Sequence, residues 1–312
     1  MHPTPATRWR ETIDPNEIQG QLERLGIDVL APPEMVKDWG RSRIYRVGTS
    51  RGLFWVKYAY RLPPGEEHVL KVLSSRWADR LPGVVATWSG AVALESLAGE
   101  ELTPEHPLRA WTAAAEQLGE LCARERAHAD EWLALGVRDR RTGTWTSDLE
   151  SLAQSDVLNG LSPEERTQFE ALLPVLVDQF LEWFAQPATL VAQDSGCCNI
   201  HIDGPGTWEP GGAIRAVFFD WADVVVGHPV FSCDRLLDQV TPKRRDAVID
   251  AFCAPLELSI DEFRAMRQSN VIHEVLRYHD ELDYVAPDDP IAESLAKSVV
   301  SQIRMVLLHT PR

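Results

Sequence analysis

Short apolar runs separated by turn residues dominate the first hundred residues, a pattern typical of β-strands. Ile44–Val47 and Leu53–Ala59 form one pair of such runs, and Val84–Trp88 and Ala91–Ser96 form another. Each pair is joined by a turn that contains glycine. The pattern therefore predicts two hairpins in a small β-rich region.

Two helices are predicted beside these strands. Asp14–Gly26 is a capped segment, in which Asp14 can accept from free backbone amides and Pro15 suits the first helical turn. After a Pro-Pro-Gly break, apolar residues recur at helical spacing from Glu66 as far as Leu81. The β-rich region is therefore expected to carry one packed helix and one helix near its start.

Helical spacing dominates from Pro104 onwards. The predicted helices are Pro107–Ala129, Ser147–Leu158, Pro163–Phe184, Pro229–Val240, Pro242–Phe252, Ile260–Tyr284 and Pro290–Leu308. Leu190–Asp220 is a β-rich interruption, whose loop at Asp203–Gly212 is too long for a tight hairpin. The periodicity of the whole chain predicts an α+β protein.

The composition is that of an ordinary globular protein, with 312 residues, 44% of them hydrophobic and 25% charged. The net charge of −16 argues against binding to nucleic acid, whose phosphates it would repel. The same charge would attract cationic ligands, although a role in solubility is the favoured interpretation.

The cysteines and the apolar runs bear on the compartment. Five cysteines without CxxC spacing indicate reduced thiols. The first residues contain no apolar signal core, and no run approaches the ~18 apolar residues of a membrane span. We therefore expect a cytoplasmic protein without a membrane partner.

Three polar residues stand at the ends of apolar runs in the β-rich interruption. Asp194 and Asn199 lie five residues apart after one run, and Asp220 ends the next run. This is the spacing of a kinase active site, in which one carboxylate faces the substrate hydroxyl while the amide and the other carboxylate hold Mg²⁺. Any one of the three alone would more often be a turn or cap residue.

With the segment VFFDWADVVVGHPVFSCDRLL, these residues resemble the aminoglycoside phosphotransferase and choline kinase group, whose motifs read HGDxxxxN and then IDW or IDF. The resemblance covers residues 40–310. It implies a bilobal protein-kinase-like fold with a small β-rich N-lobe and a larger, mostly helical C-lobe. We place these lobes at residues 1–97, including the helix at 14–26, and at residues 98–312.

The resemblance also assigns roles to the three polar residues. Asp194 would accept a hydrogen bond from the acceptor hydroxyl, and Asn199 and Asp220 would hold Mg²⁺ on the phosphates of ATP. Ala192 and Gln193 stand where the group has His and Gly. Their presence motivates an alternative, a pseudokinase that binds nucleotide or ligand without turnover.

A strand lysine grips the α- and β-phosphates in the resembled group, and a helix glutamate holds it. Lys57 matches this lysine. Glu66 is the predicted glutamate, and the adjacent Glu67 is the alternative. Neighbouring helix residues point ~100° apart, so only one of the two can face Lys57.

The nucleotide base and the phosphate loop are assigned by analogy with the same group. The backbone of Glu95, Ser96 and Leu97 corresponds to the connector that binds the adenine edge. Gly40-Arg41-Ser42-Arg43 precedes the first predicted strand, but the sequence contains no GxGxxG.

Two further aspartates follow the second motif. Asp234 matches the residue of the group that starts a long helix and braces the catalytic loop. Asp223 is either near the metal or a solvated loop carboxylate.

The resemblance predicts an ATP-dependent kinase that acts on a hydroxyl of a sugar, an amino alcohol or an antibiotic. On the predicted helix Ile260–Tyr284, Glu274 and Glu281 share a face, as do Asp280 and Asp283. Such a carboxylate cluster would attract a cationic acceptor if it opened on the substrate site. The alternative is a solvated outer face of the helix.

Overall fold

The computed structural model describes residues 12–39, 41–59, 64–88, 90–183, 187–203, 212–267, 269–283, 285 and 289–309. Its strands are β1 (Glu34–Trp39), β2 (Ser42–Thr49), β3 (Gly52–Ala59), β4 (Val84–Trp88), β5 (Ala91–Glu95), β6 (Glu100–Glu101), β7 (Arg138–Asp139), β8 (Thr189–Ala192), β9 (Ile200–Asp203), β10 (Arg215–Phe218) and β11 (Val224–Gly227). Its α-helices are α1 (Pro15–Arg24), α2 (Glu66–Arg76), α3 (Leu108–Glu125), α4 (Ala129–Leu135), α5 (Thr142–Ala153), α6 (Pro163–Trp183), α7 (Val230–Asp238), α8 (Pro242–Cys253), α9 (Ile260–Arg267), α10 (Asn270–Asp283) and α11 (Pro290–His309).

The chain divides into two compact units. The first, here called the sheet unit, comprises the described residues of Met1–Thr103 and Cys197–Asp223. The second, the helical unit, comprises those of Pro104–Gly196 and Val224–Arg312. A β-rich unit and a mostly helical unit confirm the predicted α+β class. The lobe boundary after residue 97 stays a prediction.

An antiparallel five-stranded sheet forms the framework of the sheet unit, in the order β1-β2-β3-β5-β4. Alternate residues of the central strands are buried, as the period of two requires, including Tyr45, Val47, Phe54 and Val56. The amphipathic helix α1 adds buried apolar side chains to the same core. Its predicted cap is confirmed, since the Asp14 carboxylate accepts from the amide of Asn16 at 2.9 Å.

The edge strand β1 was not predicted from the sequence. Its side chains are largely exposed, so it lacks the alternation of a half-buried strand. Pairing with β2 holds it in place, and cross-strand ion pairs add to that pairing, from Arg43 to Asp38 at 3.1 Å and from Arg46 to Glu34 at 2.6 Å.

A second, three-stranded sheet of the sheet unit has the order β10-β9-β6. Strands β9 and β10 form the antiparallel hairpin of the β-rich interruption, with Phe218 opposite Ile200. Gly99 precedes β6 with φ +78°, and a Cβ there would collide with the carbonyl of Ile202. Only glycine fits this close approach of two backbones.

The helical unit surrounds a small sheet in the order β7-β11-β8. Its core contains stacked rings: Trp145 lies on Phe180 with ring centroids 3.7 Å apart, and Phe231 lies on His273 at 4.0 Å. All four rings are buried. Among the described residues, no helix is both long and apolar enough to cross a membrane.

The segment Ile260–Tyr284 was predicted to form one helix, and this prediction is wrong. The chain forms α9 and then α10, with Gln268 and Tyr284 outside the described residues. The amide of Ser269 closes a turn on the carbonyl of Met266, and the side chain of Asn270 donates to Asp234. The turn at Ser269 therefore separates α9 from α10.

Candidate active site

Lys57 lies between two carboxylates of the sheet unit. Its Nζ is 2.8 Å from Oε2 of Glu66 and 2.5 Å from Oδ1 of Asp220. The alternation of β3 buries Phe54 and Val56 in the core and turns Lys57 to the opposite face. Distant parts of the chain therefore converge on one buried ammonium group.

The start of α2 decides which glutamate reaches this lysine. Glu66 is 3% exposed, and it also accepts a hydrogen bond from the backbone amide of Trp221 at 3.0 Å. Glu67 points elsewhere and accepts from the amide of Gly90 at 2.9 Å. The structure thus pairs Lys57 with Glu66 and not with the alternative; the role of this pair in nucleotide binding stays a prediction.

The three charged groups of this cluster shift the pKa values of one another. Burial alone would lower the pKa of Lys57, but the carboxylates of Glu66 and Asp220 outweigh it and raise the pKa. Burial raises the pKa of Glu66, while Lys57 counteracts burial at Asp220 and holds the pKa of that carboxyl below its usual value. With both carboxylates ionised, the cluster carries one net negative charge.

Asp220 and Asn199 lie at the same end of the β9–β10 hairpin. The amide of Phe219 donates to the carbonyl of Asn199 at 3.1 Å, which continues the strand register by one residue. Asp220 then adopts φ +62°, a left-handed conformation that Asp tolerates better than most residues. Such backbone strain is typical of functional sites.

The chemistry of these two side chains fits Mg²⁺. This ion prefers oxygen ligands and often takes only one or two from the protein, the rest coming from phosphates and water. In the part of the chain that the structure describes, no group of three or more His, Cys, Asp or Glu residues is arranged to hold a metal. A carboxylate and an amide oxygen at the end of one hairpin suit an ion that is shared with a nucleotide.

The connector residues already make hydrogen bonds within the sheet unit. The amide of Glu95 donates to Gly83 at 2.8 Å, and that of Ser96 donates to Leu53 at 3.2 Å. The predicted contact with adenine therefore depends on the amide of Leu97 and on the carbonyl groups of this segment.

Asp194 lies in the helical unit, on the turn that follows β8, and is partly buried. Ser232 of α7 holds this turn on both sides of Asp194. Its hydroxyl accepts from the amide of Ala192 at 3.1 Å, and its carbonyl accepts from the hydroxyl of Ser195. Sequence reasoning missed Ser232, although it follows the second motif closely.

Arg235 is the second residue of α7 that sequence reasoning missed. Its Nη2 lies 3.4 Å from Oε2 of Glu274 and donates to the hydroxyl of Tyr278 at 3.3 Å. Burial alone would lower the pKa of Arg235, but the Glu274 carboxylate outweighs it, with a smaller contribution from Asp194, and the pKa is raised. A guanidinium group therefore influences the surroundings of the predicted catalytic carboxylate.

Asp234, which was predicted to be structural, contacts the side chains of Arg267 and Asn270. It therefore ties α7 to α9 and α10, while Ser232 makes the bonds to the Asp194 turn.

Glu274, Asp280 and Glu281 of α10 are buried and not solvated. Glu274 is 2.9 Å from Arg277, and Asp280 contacts Arg138 and Arg140. Burial raises the pKa of Asp280 to about 6 in spite of these arginines. Glu274 and Asp280 therefore form neither a solvated outer face of the helix nor a carboxylate cluster that is open to a cationic acceptor.

No family model matches the sequence, and no curated protein matches it. Solved structures do match. The macrolide 2′-phosphotransferase MphH from Brachybacterium faecium, as apoenzyme, is 16% identical, with a TM-score of 0.63 over 96% of this chain and 99% of that chain.

Two further structures have similar scores. The GDP and kanamycin complex of the phosphotransferase APH(2″)-IIIa gives a TM-score of 0.66 at 13% identity, over 94% of this chain and 97% of the other. Choline kinase LicA from Streptococcus pneumoniae gives 0.61 at 12% identity, over 93% and 98%. The chain therefore has the protein-kinase-like fold of small-molecule phosphotransferases, and the predicted resemblance to this group is confirmed at the level of the fold.

Proposed function

We propose that this protein is an ATP-dependent kinase that phosphorylates a hydroxyl group of a small molecule. The observation that carries the proposal is the Lys57–Glu66–Asp220 cluster on the β3 strand, the α2 helix and the end of the β9–β10 hairpin. Phosphoryl transfer requires mainly positioning and charge neutralisation, and this cluster supplies an ordered cation beside a metal-binding carboxylate.

The sheet unit would bind the nucleotide. Lys57, oriented by Glu66, would contact the α- and β-phosphates, and the connector at Glu95–Leu97 would contact the base. Asn199 and Asp220 would hold Mg²⁺, which neutralises phosphate charge when it is bound.

The helical unit would bind the acceptor. Asp194 would accept a hydrogen bond from the acceptor hydroxyl and take its proton late in the transfer. Ser232 would keep the Asp194 turn in one conformation through its bonds on both sides.

The proposed acceptor is an amino sugar, an aminoglycoside-like antibiotic, a sugar or an amino alcohol, and a cationic one is the more specific proposal. Support comes from the similar fold of the kanamycin-bound APH(2″)-IIIa and of choline kinase LicA and from the net charge of −16. An assay of ADP release with matched cationic and neutral alcohols, at low and high salt, tests it. Preference for neutral acceptors without salt dependence would contradict the cationic proposal alone.

A second candidate is a pseudokinase that binds nucleotide without turnover. Ala192 and Gln193, in place of His and Gly, favour it. Nucleotide binding without phosphorylation of any acceptor in a broad panel would support this candidate over the first.

The test of the main proposal is Asp220→Ala, with Asp203→Ala as control. Asp203 lies on the same hairpin but pairs with Arg215 at 2.5 Å, apart from Lys57. We expect Asp220→Ala to abolish turnover and weaken Mg·ATP binding in calorimetry, while Asp203→Ala behaves as wild type. Undiminished Mg·ATP affinity in a folded Asp220→Ala protein would refute the metal assignment.

A further inference from the structure

The hairpin between β1 and β2 places an arginine against Asp223, three residues after the candidate metal ligand Asp220. Trp39 pairs with Ser42, and Arg41 lies in the connection between the two strands; Gly40 lies outside the described residues. Arg41 was predicted to precede the first strand of the protein, but the unpredicted strand β1 comes before it. Arg41 is thus at the tip of a hairpin of the sheet unit.

The Arg41 guanidinium lies at the Asp220–Asp223 segment. Its Nη1 is 3.7 Å from Oδ2 of Asp223, and the two side chains are 21% and 10% exposed. The β1–β2 hairpin and β3 therefore each place a cation at the segment Asp220–Asp223.

The charges near Lys57 show why a further cation matters. Lys57 is already matched by two carboxylates, Glu66 and Asp220, so this cluster would repel a polyphosphate when no other cation is near. Mg²⁺ would supply part of the missing positive charge. Arg41 lies at the same segment and can supply more when a phosphate replaces Asp223 as its partner.

We propose that the Arg41 side chain binds the polyphosphate of the nucleotide and takes the place of the backbone amides of a glycine-rich loop. A planar guanidinium can donate two hydrogen bonds to a phosphate, so one arginine can replace several amides. This inference rests on the proposed kinase function. Its prediction is that the ion pair with Asp223 holds Arg41 at the site and competes with phosphate for it.

The two members of the ion pair provide the sharpest test, because the alternative is a purely structural bridge. If the bridge were only structural, removal of either partner would have the same effect on ligand binding. If Arg41 binds phosphate, Arg41→Ala weakens binding, whereas Asp223→Asn leaves binding unchanged or tightens it, since a competing negative charge is lost.

The experiment measures displacement of a fluorescent ATP analogue by Mg·ATP and by inorganic tripolyphosphate. Arg41→Ala should weaken both ligands about ten- to hundredfold, the usual effect of losing a hydrogen bond to a charged group. Arg41→Lys should recover only part of the loss, because lysine cannot bind bidentately. The control is Arg46→Ala on β2, whose partner is Glu34 and which should stay within about twofold of wild type.

Two results would overturn the inference while the proposed function stands. One is wild-type affinity for both ligands in a folded Arg41→Ala protein. The other is an equal loss of affinity in Arg41→Ala and Asp223→Asn. A wild-type protein that binds neither ligand would overturn the proposed function as well as the inference.

Discussion

Single residues decide the charge state of the candidate site. The side chains of Lys57 and Glu66 are 11% and 2% exposed, whereas that of Asp220 is 34% exposed, and charges withdrawn from water are costly unless they have partners. Glu66 gains a second partner in the amide of Trp221. The residues are therefore held in one arrangement before any ligand binds, which is the preorganisation that electrostatic catalysis requires.

Asp194→Asn is the residue-level test of catalysis. The amide can still accept a hydrogen bond from the acceptor but cannot take its proton, so we expect kcat to fall by about 10²–10⁴-fold. Nucleotide affinity should be unchanged, because the proposed nucleotide contacts belong to the sheet unit. Steady-state kinetics and calorimetry check the two statements, and wild-type turnover would remove Asp194 from the proposed role.

At the scale of elements, α7 connects the Asp194 turn to the core of the helical unit. Ser232 is fully buried, and its hydroxyl also accepts from the thiol of Cys122 at 3.5 Å. The hydroxyl of Thr189 in turn donates to the carbonyl of Cys122 at 2.6 Å. The turn is thus held by a hydrogen-bond network that joins α3, β8 and α7.

Ser232→Ala should show that this network positions Asp194. It leaves the partly buried amide of Ala192 without its acceptor, at a cost of about 1–3 kcal/mol in stability. Well below the melting temperature, kcat should fall while the KM for ATP stays constant. Cys122→Ala is the matched control, because it lowers stability without releasing the turn, and an equal effect of both variants on kcat would contradict the positioning role.

Close helix packing gives a second prediction at this scale. Gly119 of α3 lies against the backbone of Phe252 in α8, and an added Cβ would collide with that carbonyl oxygen. We expect Gly119→Ala to destabilise the protein by about 1–3 kcal/mol, since backbone must move. In α5, Gly143 has no heavy atom within 4 Å of an added Cβ, so Gly143→Ala should be neutral or stabilising by up to about 1 kcal/mol.

Denaturant unfolding of the two alanine variants gives the comparison. A Gly119→Ala protein as stable as Gly143→Ala would mean that α3 and α8 do not approach as closely as described.

At the scale of the whole molecule, the response to pH depends on buried histidines as well as on the acidic composition. His228 of the helical unit is 1% exposed, and burial, aided by the charge of Arg126, lowers its pKa to about 3. The unfolded chain has a His pKa near ~6.5 and therefore binds more protons between pH ~6.5 and ~3. Stability must fall as the pH drops through this window.

His228→Asn tests this pH dependence. Asparagine can keep the acceptor that His228 provides for the amide of Val230, but it does not titrate. The stability of the wild type relative to the variant should decline below pH 6 by up to ~1.4 kcal/mol per pH unit. Urea unfolding at several pH values measures it, and parallel curves for the two proteins would show that His228 is not buried in its neutral form.

How much of this molecule is readable from the sequence depends on whether a feature is local. Short apolar runs bounded by turn residues predicted β2–β5, and in β2 and β3 alternate residues pack on the core. The same rule failed for β1, which is held by hydrogen bonds to its neighbour and exposes its side chains. Helical spacing predicted α9 and α10 as a single helix, because a short break does not disturb the spacing of the apolar residues.

For the candidate site, the sequence by itself determined the residue types and their spacing: Lys57 on a strand, Asp194 and Asn199 five apart, and Asp220 at the end of a hairpin. Only the tertiary structure decided that Glu66 and not Glu67 meets Lys57, that Ser232 holds the Asp194 turn, and that Arg41 reaches Asp223. The physical reason is the range of the interactions. Periodicity and turn chemistry act over a few neighbouring residues. A pair of charges from distant segments, in contrast, meets only after the backbone has folded. On sequence alone, many other Asp, Glu and Arg residues were equally good candidates for these pairs.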